Sequence, residues 1–210
     1  MRIKDIILSL LSLALIGAGT VLIVAFYFGG PGVPRGNSIS DEPQNFNVPV
    51  LEDTNASEKK QEPGVASGPE DKTLWLTIPK MARIFNATIP SGAGNDEAKL
   101  RDYAAIHLDG TGFPWETGAN VYIAGHRLGY PNSASFLAFY DLDKLEKGDE
   151  VTVVDADGKV YTYKVTKEFV ASPTDLSVTE PVEGKDVLTL QTCTLPDYSQ
   201  RLIVQAEKVT

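Results

Sequence analysis

Val187-Leu188-Thr189-Leu190-Gln191-Thr192-Cys193 is followed, after the loop Thr194 to Gln200, by Arg201-Leu202-Ile203-Val204-Gln205-Ala206-Glu207. Both runs are dense in aliphatic and β-branched residues, and Pro196 and Asp197 punctuate the loop between them. The stretch therefore reads as two antiparallel strands joined by a turn. Side chains alternate along a strand, so Thr189, Gln191 and Cys193 share one face while Leu188 and Leu190 point to the other, the core side. On this pattern Cys193 need not be buried. The returning strand opens with Arg201, which the turn brings close to the thiol.

Working outward, the same reading finds strands at Leu74 to Ile78, Arg83 to Thr88 and Asn120 to Ala124, the last running into His126. Val151 to Asp155 and Lys159 to Val170 form a hairpin around Asp157-Gly158, a strong turn pair, with Tyr161, Tyr163 and Val165 alternating along one face. Two short helices are expected. Asn95 caps the first, through about Tyr103, with Glu97 and Arg101 one helical turn apart, and the second covers Ser133 to Tyr140. Many short strands and few helices indicate an all-β barrel or sandwich. No repeat at a fixed period is present, which excludes a solenoid or propeller.

The formal charge of −9 and a pI near 4.7 argue against a general nucleic-acid binder. Cys193 is the only cysteine, so no intramolecular disulfide can form and the thiol remains available for chemistry. A lone thiol, an imidazole and a fixed cation are the three groups that cysteine acyl transfer needs. Of the two histidines, His126 ends a strand in Ile123-Ala124-Gly125-His126, whereas His107 lies in a Gly-rich turn region, Ala105 to Pro114. Two histidines and one cysteine without ligand spacing do not make a zinc site. The acidic pairs Asp141/Asp143 and Asp155/Asp157 read as turn and surface carboxylates rather than a calcium site.

Thr189-Leu190-Gln191-Thr192-Cys193, the downstream Arg201-Leu202-Ile203-Val204 and the strand-ending Gly125-His126 together resemble a sortase, a cell-wall cysteine transpeptidase of Gram-positive bacteria. Leu74-Trp75-Leu76-Thr77-Ile78-Pro79-Lys80 is similar to that family's opening strand. Phe139-Tyr140-Asp141-Leu142-Asp143-Lys144-Leu145-Glu146-Lys147-Gly148-Asp149 is similar to the segment after its catalytic histidine. The four segments stand in the family's order over roughly the C-terminal two thirds of the chain.

The resemblance implies a closed sortase-type β-barrel of about eight strands with short helices, and a reaction that needs no cofactor. It casts Cys193 as the nucleophile, His126 as the proton carrier and Arg201 as the cation that supports substrate or oxyanion. Thr192 would assist, and Leu128, Tyr130 and Tyr198 would contact substrate, with Phe113 and Trp115 as further groove candidates; His107 would be structural or groove-lining. The implied donor is an exported protein with a C-terminal sorting signal of LPxTG or LAxTG type, and the implied acceptor an amine of a peptidoglycan precursor. The pilin-polymerising alternative often carries an Asp-Pro-aromatic lid before the domain, and no such motif stands here. The loop Thr194-Leu195-Pro196-Asp197-Tyr198, the long tether and a single anchor most resemble the actinobacterial class E housekeeping type. That type's LAxTG-preferring members carry a tyrosine just upstream of the histidine strand, where this chain has Leu108 and Phe113.

Two other functions fit parts of the pattern. A peptidoglycan L,D-transpeptidase has His, Cys and Arg in this order but sets its cysteine in Ser-x-Gly-Cys, which is absent here. A non-catalytic anchored binding domain would have no use for the thiol.

Ile6 to Phe28 holds no charged residue over about 23 positions, long enough at about 1.5 Å per residue to cross the hydrocarbon core. Arg2 and Lys4 precede it and hold the N-terminus, residues 1–5, in the cytoplasm. The run over 6–28 is longer than a signal-peptide core and meets Gly29-Gly30-Pro31-Gly32, so it is read as a retained single-pass anchor. Residues 29–72 turn to Gly, Pro, Asn, Ser, Asp and Glu without period, the composition of a disordered extracellular tether spanning about 35 Å as a flexible coil. Residues 73–210 form the expected extracellular catalytic domain at the cell membrane.

Overall fold

The computed structural model describes residues 68–209. The expected anchor over 6–28, and the tether as far as residue 67, lie outside the described residues. Among the described residues nine strands are present: β1 (Leu74–Thr77), β2 (Ala87–Ile89), β3 (Ser91–Gly92), β4 (Ile106–Leu108), β5 (Asn120–Ala124), β6 (Glu150–Val154), β7 (Val160–Ala171), β8 (Val187–Cys193) and β9 (Arg201–Lys208). They form a single sheet in the order β2-β1-β6-β7-β9-β8-β5-β4-β3. Its two edge strands, β2 and β3, are separated in sequence only by Pro90, so the sheet curls until its edges meet and becomes a nearly closed barrel. The Pro90 oxygen accepts from the His107 N–H at 2.9 Å, tying the junction to β4.

The all-β barrel expectation holds, with nine strands instead of about eight. β3 and β4 escaped the sequence reading because two or three residues are too few to show an alternation. His107 accordingly sits within β4, not in a turn. β7 and β9 pair along most of their length, with one bulge between Val165 and Lys167. β8 lies between antiparallel β9 and parallel β5, so its backbone is hydrogen-bonded on both sides.

Alternation sorts the side chains into two apolar clusters. Leu76, Val121, Ile123, Val151, Val153, Tyr163, Leu188, Leu190 and Val204 fill the barrel interior. On the outer face of the β4–β5–β8–β9 wall, Leu100, Ile106, Leu108, Tyr122, Ala124, Val178, Cys193 and Ile203 form a second cluster. Each fully buried aliphatic side chain contributes about 2 kcal/mol, so both faces of β8 are worth covering.

The first expected helix exists as α1 (Glu97–Asp102), which lays Leu100 on the outer cluster. Its cap is Asp96 rather than Asn95, the Asp96 carboxylate accepting from the Lys99 N–H at 3.1 Å. The second expected helix, over 133–140, is not formed. Phe136, Ala138 and Tyr140 make turn bonds to the residue three before, but two N–H groups go elsewhere: Leu137 donates to the Leu128 oxygen at 2.7 Å and Phe139 to the His126 oxygen at 3.1 Å. These tertiary bonds replace the helical ladder, and a 3₁₀ turn follows at Leu142–Lys144. A second 3₁₀ turn, Leu176–Thr179, places Val178 on the outer cluster.

Gly68 packs so closely on the Trp115 indole that a Cβ there would stand 2.0 Å from the ring. The Lys72 ammonium lies 4.9 Å from that ring and donates to the Pro69 oxygen at 2.7 Å. Residues 68–72, the end of the expected tether, are thus laid against the barrel.

Candidate active site

Cys193 and Arg201 are directly opposed across the antiparallel β8–β9 pair. The short turn Thr194 to Gln200 closes on itself, Thr194 N–H donating to the Gln200 oxygen at 3.0 Å. The Arg201 Nη1 donates to the oxygens of Tyr198 and Gln200, both at 3.1 Å, so the turn's own backbone fixes the guanidinium plane. On the other side, β5 and β8 run parallel with Ala124 beside Gln191, and the Gly125 N–H continues the pairing to the Gln191 oxygen at 3.0 Å. His126 follows Gly125 directly, so its segment leaves β5 at the end of β8 that carries Cys193. Two strands and the segment leaving β5 therefore bring the thiol, the guanidinium and the imidazole to one end of the sheet.

This end is not open. Cys193 is 2% exposed, His126 1% and Arg201 2%. Strand alternation left Cys193 free to be exposed, and the structure buries it. The outer face of β8 is roofed by α1, by the turn at 176–179 and by Tyr198, none of which the alternation of β8 can report.

Burial sets the electrostatics. Desolvation pushes the Cys193 thiol above its ordinary 9.0, and the Arg201 charge draws it partly back. Desolvation also lowers His126 from 6.5 to about 4. Both groups are consequently neutral at pH 7. Moving the proton from thiol to imidazole before substrate arrives is therefore uphill, because both shifts favour the neutral partners. Because only the thiolate is alkylated, the rate with iodoacetamide is expected to rise about tenfold per pH unit from pH 6 to beyond pH 9. A plateau at neutral pH would instead reveal a preformed thiolate–imidazolium pair.

A Sortase domain family model matches residues 76–209, nearly the whole of the described barrel. The chain belongs to the sortase family. The SrtE1 sortase of Streptomyces coelicolor is 30% identical over 165 residues, covering 71% of this chain and 44% of that protein. Sortase A of Streptococcus agalactiae is 37% identical over 91 residues, 43% of this chain and 36% of that protein. The matched region thus spans less than half the length of these curated relatives. Among solved structures, the Group B Streptococcus Pilus Island 1 Sortase C2 superposes with a TM-score of 0.58 at 30% identity, covering 68% of this chain and 76% of that one.

Around the central trio, the sortase barrel separates the remaining sequence candidates. Thr192 follows Leu188 and Leu190 in pointing to the barrel interior, so its hydroxyl faces away from Cys193 and only its backbone adjoins the thiol. Tyr198, at a positive φ of 57°, packs on the outer cluster beside Cys193. Tyr130 meets the His126 ring edge-on with centroids 5.4 Å apart, and Leu128 is half-buried on the same segment. Phe113 and Trp115 do not line this face: they stack on one another at 4.6 Å, Phe113 lies 4.4 Å from the His107 ring, and Trp115 packs against the interior cluster. His107 itself alternates away from Ile106 and Leu108, which belong to the outer cluster. Its Nδ1 meets Ser91 Oγ at 3.1 Å and its Nε2 the Gly112 oxygen at 3.0 Å, a structural role.

The acidic pairs are likewise accounted for locally. Asp155 accepts from the Asp157 and Lys159 N–H groups and from the Tyr161 hydroxyl, closing the β6–β7 hairpin. Asp141 pairs with Lys144 at 2.6 Å and Asp143 with Arg127 at 2.6 Å.

Sequence reasoning missed several neighbours of the site. Tyr122 shares the face of Cys193 and donates its hydroxyl to Gln191 Oε1 at 2.5 Å, a pair that alternation on β5 and β8 could have suggested. Glu97 stands one helical turn from Arg101 but accepts from the Tyr130 hydroxyl at 3.1 Å, while Arg101 pairs with Asp102. Nothing in the sequence signals that link across 33 residues.

Proposed function

We propose that this sortase is a cysteine transpeptidase that cleaves a C-terminal sorting signal of LPxTG or LAxTG type between Thr and Gly and transfers the protein to an amine of a cell-wall precursor. The observation that carries the reading is the register that opposes Cys193 to Arg201, with the segment that carries His126 leaving the adjacent strand at the same end, where the Gly125 N–H still bonds to the Gln191 oxygen.

The signal's Thr carbonyl carbon is attacked by the Cys193 sulfur as the thiol proton passes to His126. Arg201 supports the negative charge that develops on the carbonyl oxygen. When the Thr–Gly bond breaks, the imidazolium returns its proton to the departing Gly amine, leaving a thioester on Cys193. An incoming amine then attacks the thioester and gives its proton to His126; the carbon–sulfur bond breaks as the new amide forms, and His126 returns the proton to the departing Cys193 sulfur. The burial that keeps the pair neutral at rest excludes water, which would otherwise hydrolyse the thioester. The same burial requires the cover over Cys193 to move when a signal binds. Catalysis is assigned to Cys193, His126 and Arg201, with Leu128, Tyr130, Tyr198 and the Thr192 backbone as substrate contacts.

The apolar run at 6–28 supports a single-pass anchor with the domain outside the cell membrane, within reach of exported proteins and lipid-linked precursors. Similarity to SrtE1 over most of the chain supports a housekeeping anchoring role of class E type. Membership in the sortase family leaves no ground for the L,D-transpeptidase reading.

The test is incubation of the full-length protein with LPxTG and LAxTG peptides and an amine acceptor, followed by mass spectrometry. Cleavage between Thr and Gly with an acyl adduct on Cys193 is expected. An adduct with neither signal would overturn the reading, and transfer to a pilin-type lysine peptide in preference to a peptidoglycan-type amine would reassign the acceptor.

A further inference from the structure

His126 lies beyond the last residue of β5, where no strand pairing holds it. Its segment is instead clamped onto residues 133–143. The His126 oxygen accepts from the Phe139 N–H, the Leu128 oxygen from the Leu137 N–H, and the Tyr130 N–H donates to Ser135 Oγ at 3.2 Å. Gly129 permits the close approach: at a φ of +66° its missing Cβ would stand 2.1 Å from the Ser135 oxygen.

One side chain reinforces this clamp from beneath. Arg127, the residue after His126, is 9% exposed, and its Nη2 pairs with Asp143 Oδ2 at 2.6 Å. The guanidinium also lies 5.9 Å from the Tyr140 ring. Asp143 belongs to the 3₁₀ turn Leu142–Lys144, whose Leu142 is fully buried in the barrel interior. Glu168 on β7 joins the same charge group: burial raises its carboxyl, Asp143 raises it further, and Arg127 lowers it. A guanidinium is rarely buried unless a paired carboxylate compensates for its lost hydration. The Asp143 pair therefore decides where Arg127 settles, and the peptide bond shared with His126 transmits that position.

We propose that Arg127, held by Asp143, is the positioning residue that sets the His126 imidazole against Cys193. The inference rests on the proposed transpeptidase reading only for its consequence in catalysis. The pair couples the imidazole to the barrel core through two covalently adjacent residues and one ion pair. Loosening it displaces His126 while leaving the thiol's own strand pairing untouched.

With only two histidines in the chain, histidine labelled at Cε1 gives one NMR signal from each. In full-length Asp143→Asn, and more strongly in Arg127→Ala, the His126 signal is expected to shift or broaden. The His107 signal, fixed by Ser91 and Gly112, should stay in place, whereas general destabilisation would move both. On sorting-signal peptide, kcat is expected to fall about tenfold to a hundredfold with KM changed less than about twofold, since a misplaced proton carrier slows chemistry more than binding. Asp143→Glu and Arg127→Lys, which keep the ion pair, should recover most of kcat and the wild-type His126 signal. They also keep the inference testable if the more disruptive variants fail to fold. An unchanged His126 signal in both Asp143→Asn and Arg127→Ala would overturn the inference, as would wild-type kcat in either. Inactivity of the wild-type protein on every signal would instead count against the transpeptidase reading, with the NMR result standing by itself.

Discussion

Full-length Cys193→Ala is expected to form no acyl adduct and to lose at least about 10⁴-fold in signal cleavage, because nothing else on the outer face of β8 can form the covalent intermediate. Among the described residues the neighbours of Cys193 in its cluster are apolar side chains and tyrosine, none of them an acyl acceptor of comparable strength. Losing one sulfur from a packed position is expected to cost about 1 kcal/mol of stability, visible as a thermal shift of a few degrees but not as unfolding. Cleavage by the variant at more than about a hundredth of the wild-type rate, measured with LPxTG and LAxTG peptides, would remove Cys193 from the mechanism. The magnitude differs from that of the nearby positioning residues because those change the geometry of a reaction that Cys193 makes possible.

Arg201→Ala should lower kcat/KM for signal cleavage by about a hundredfold to a thousandfold, the usual consequence of removing a pre-oriented donor from a developing oxyanion. It is also expected to raise the Cys193 thiol further, since the guanidinium charge is the influence that opposes desolvation there. The sign can be read directly: with the cation gone, alkylation at any fixed pH below the thiol's pKa slows, because less thiolate is present. Arg201→Lys should restore the alkylation rate in large part while recovering little of kcat/KM. An ammonium supplies the charge, but it cannot hold the two turn carbonyls of Tyr198 and Gln200 and present a planar fork at the same time. Full activity in Arg201→Lys would show that charge alone matters, and full activity in Arg201→Ala would dismiss the residue from the site.

The reactive pair rests in its neutral form because the barrel wall is covered on both faces. This arrangement protects a free thiol, since oxidation proceeds through the thiolate. On the proposed mechanism a signal reaching Cys193 would have to displace its cover, of which Tyr198 is a part, and that displacement would lessen the desolvation acting on the thiol. The Tyr130 hydroxyl bond to Glu97 on α1 is one of the contacts such a movement would break.

Much of this was legible in the residues themselves. The period of two in 187–193 and 201–207 determined both strands and which side chains share a face, because that period follows from backbone geometry and survives any context. Asp157-Gly158 determined the hairpin, with Gly158 at a φ of 80° that L side chains avoid. The single thiol and its motif neighbours determined the family. Tertiary structure alone decided the rest, and in each case the reason is a partner far away in sequence. Alternation says which face Cys193 occupies but not that Leu100, Val178 and Tyr198 close over it, so burial and the neutral resting pair were invisible. Local propensity favours a helix at 133–140, yet the carbonyls of His126 and Leu128 claim two of its N–H groups, since a bond that also anchors a loop outweighs a short isolated helix. Arg127 and Asp143 meet only because the barrel brings the segment after β5 down onto the 3₁₀ turn, a proximity that no periodicity along the chain encodes.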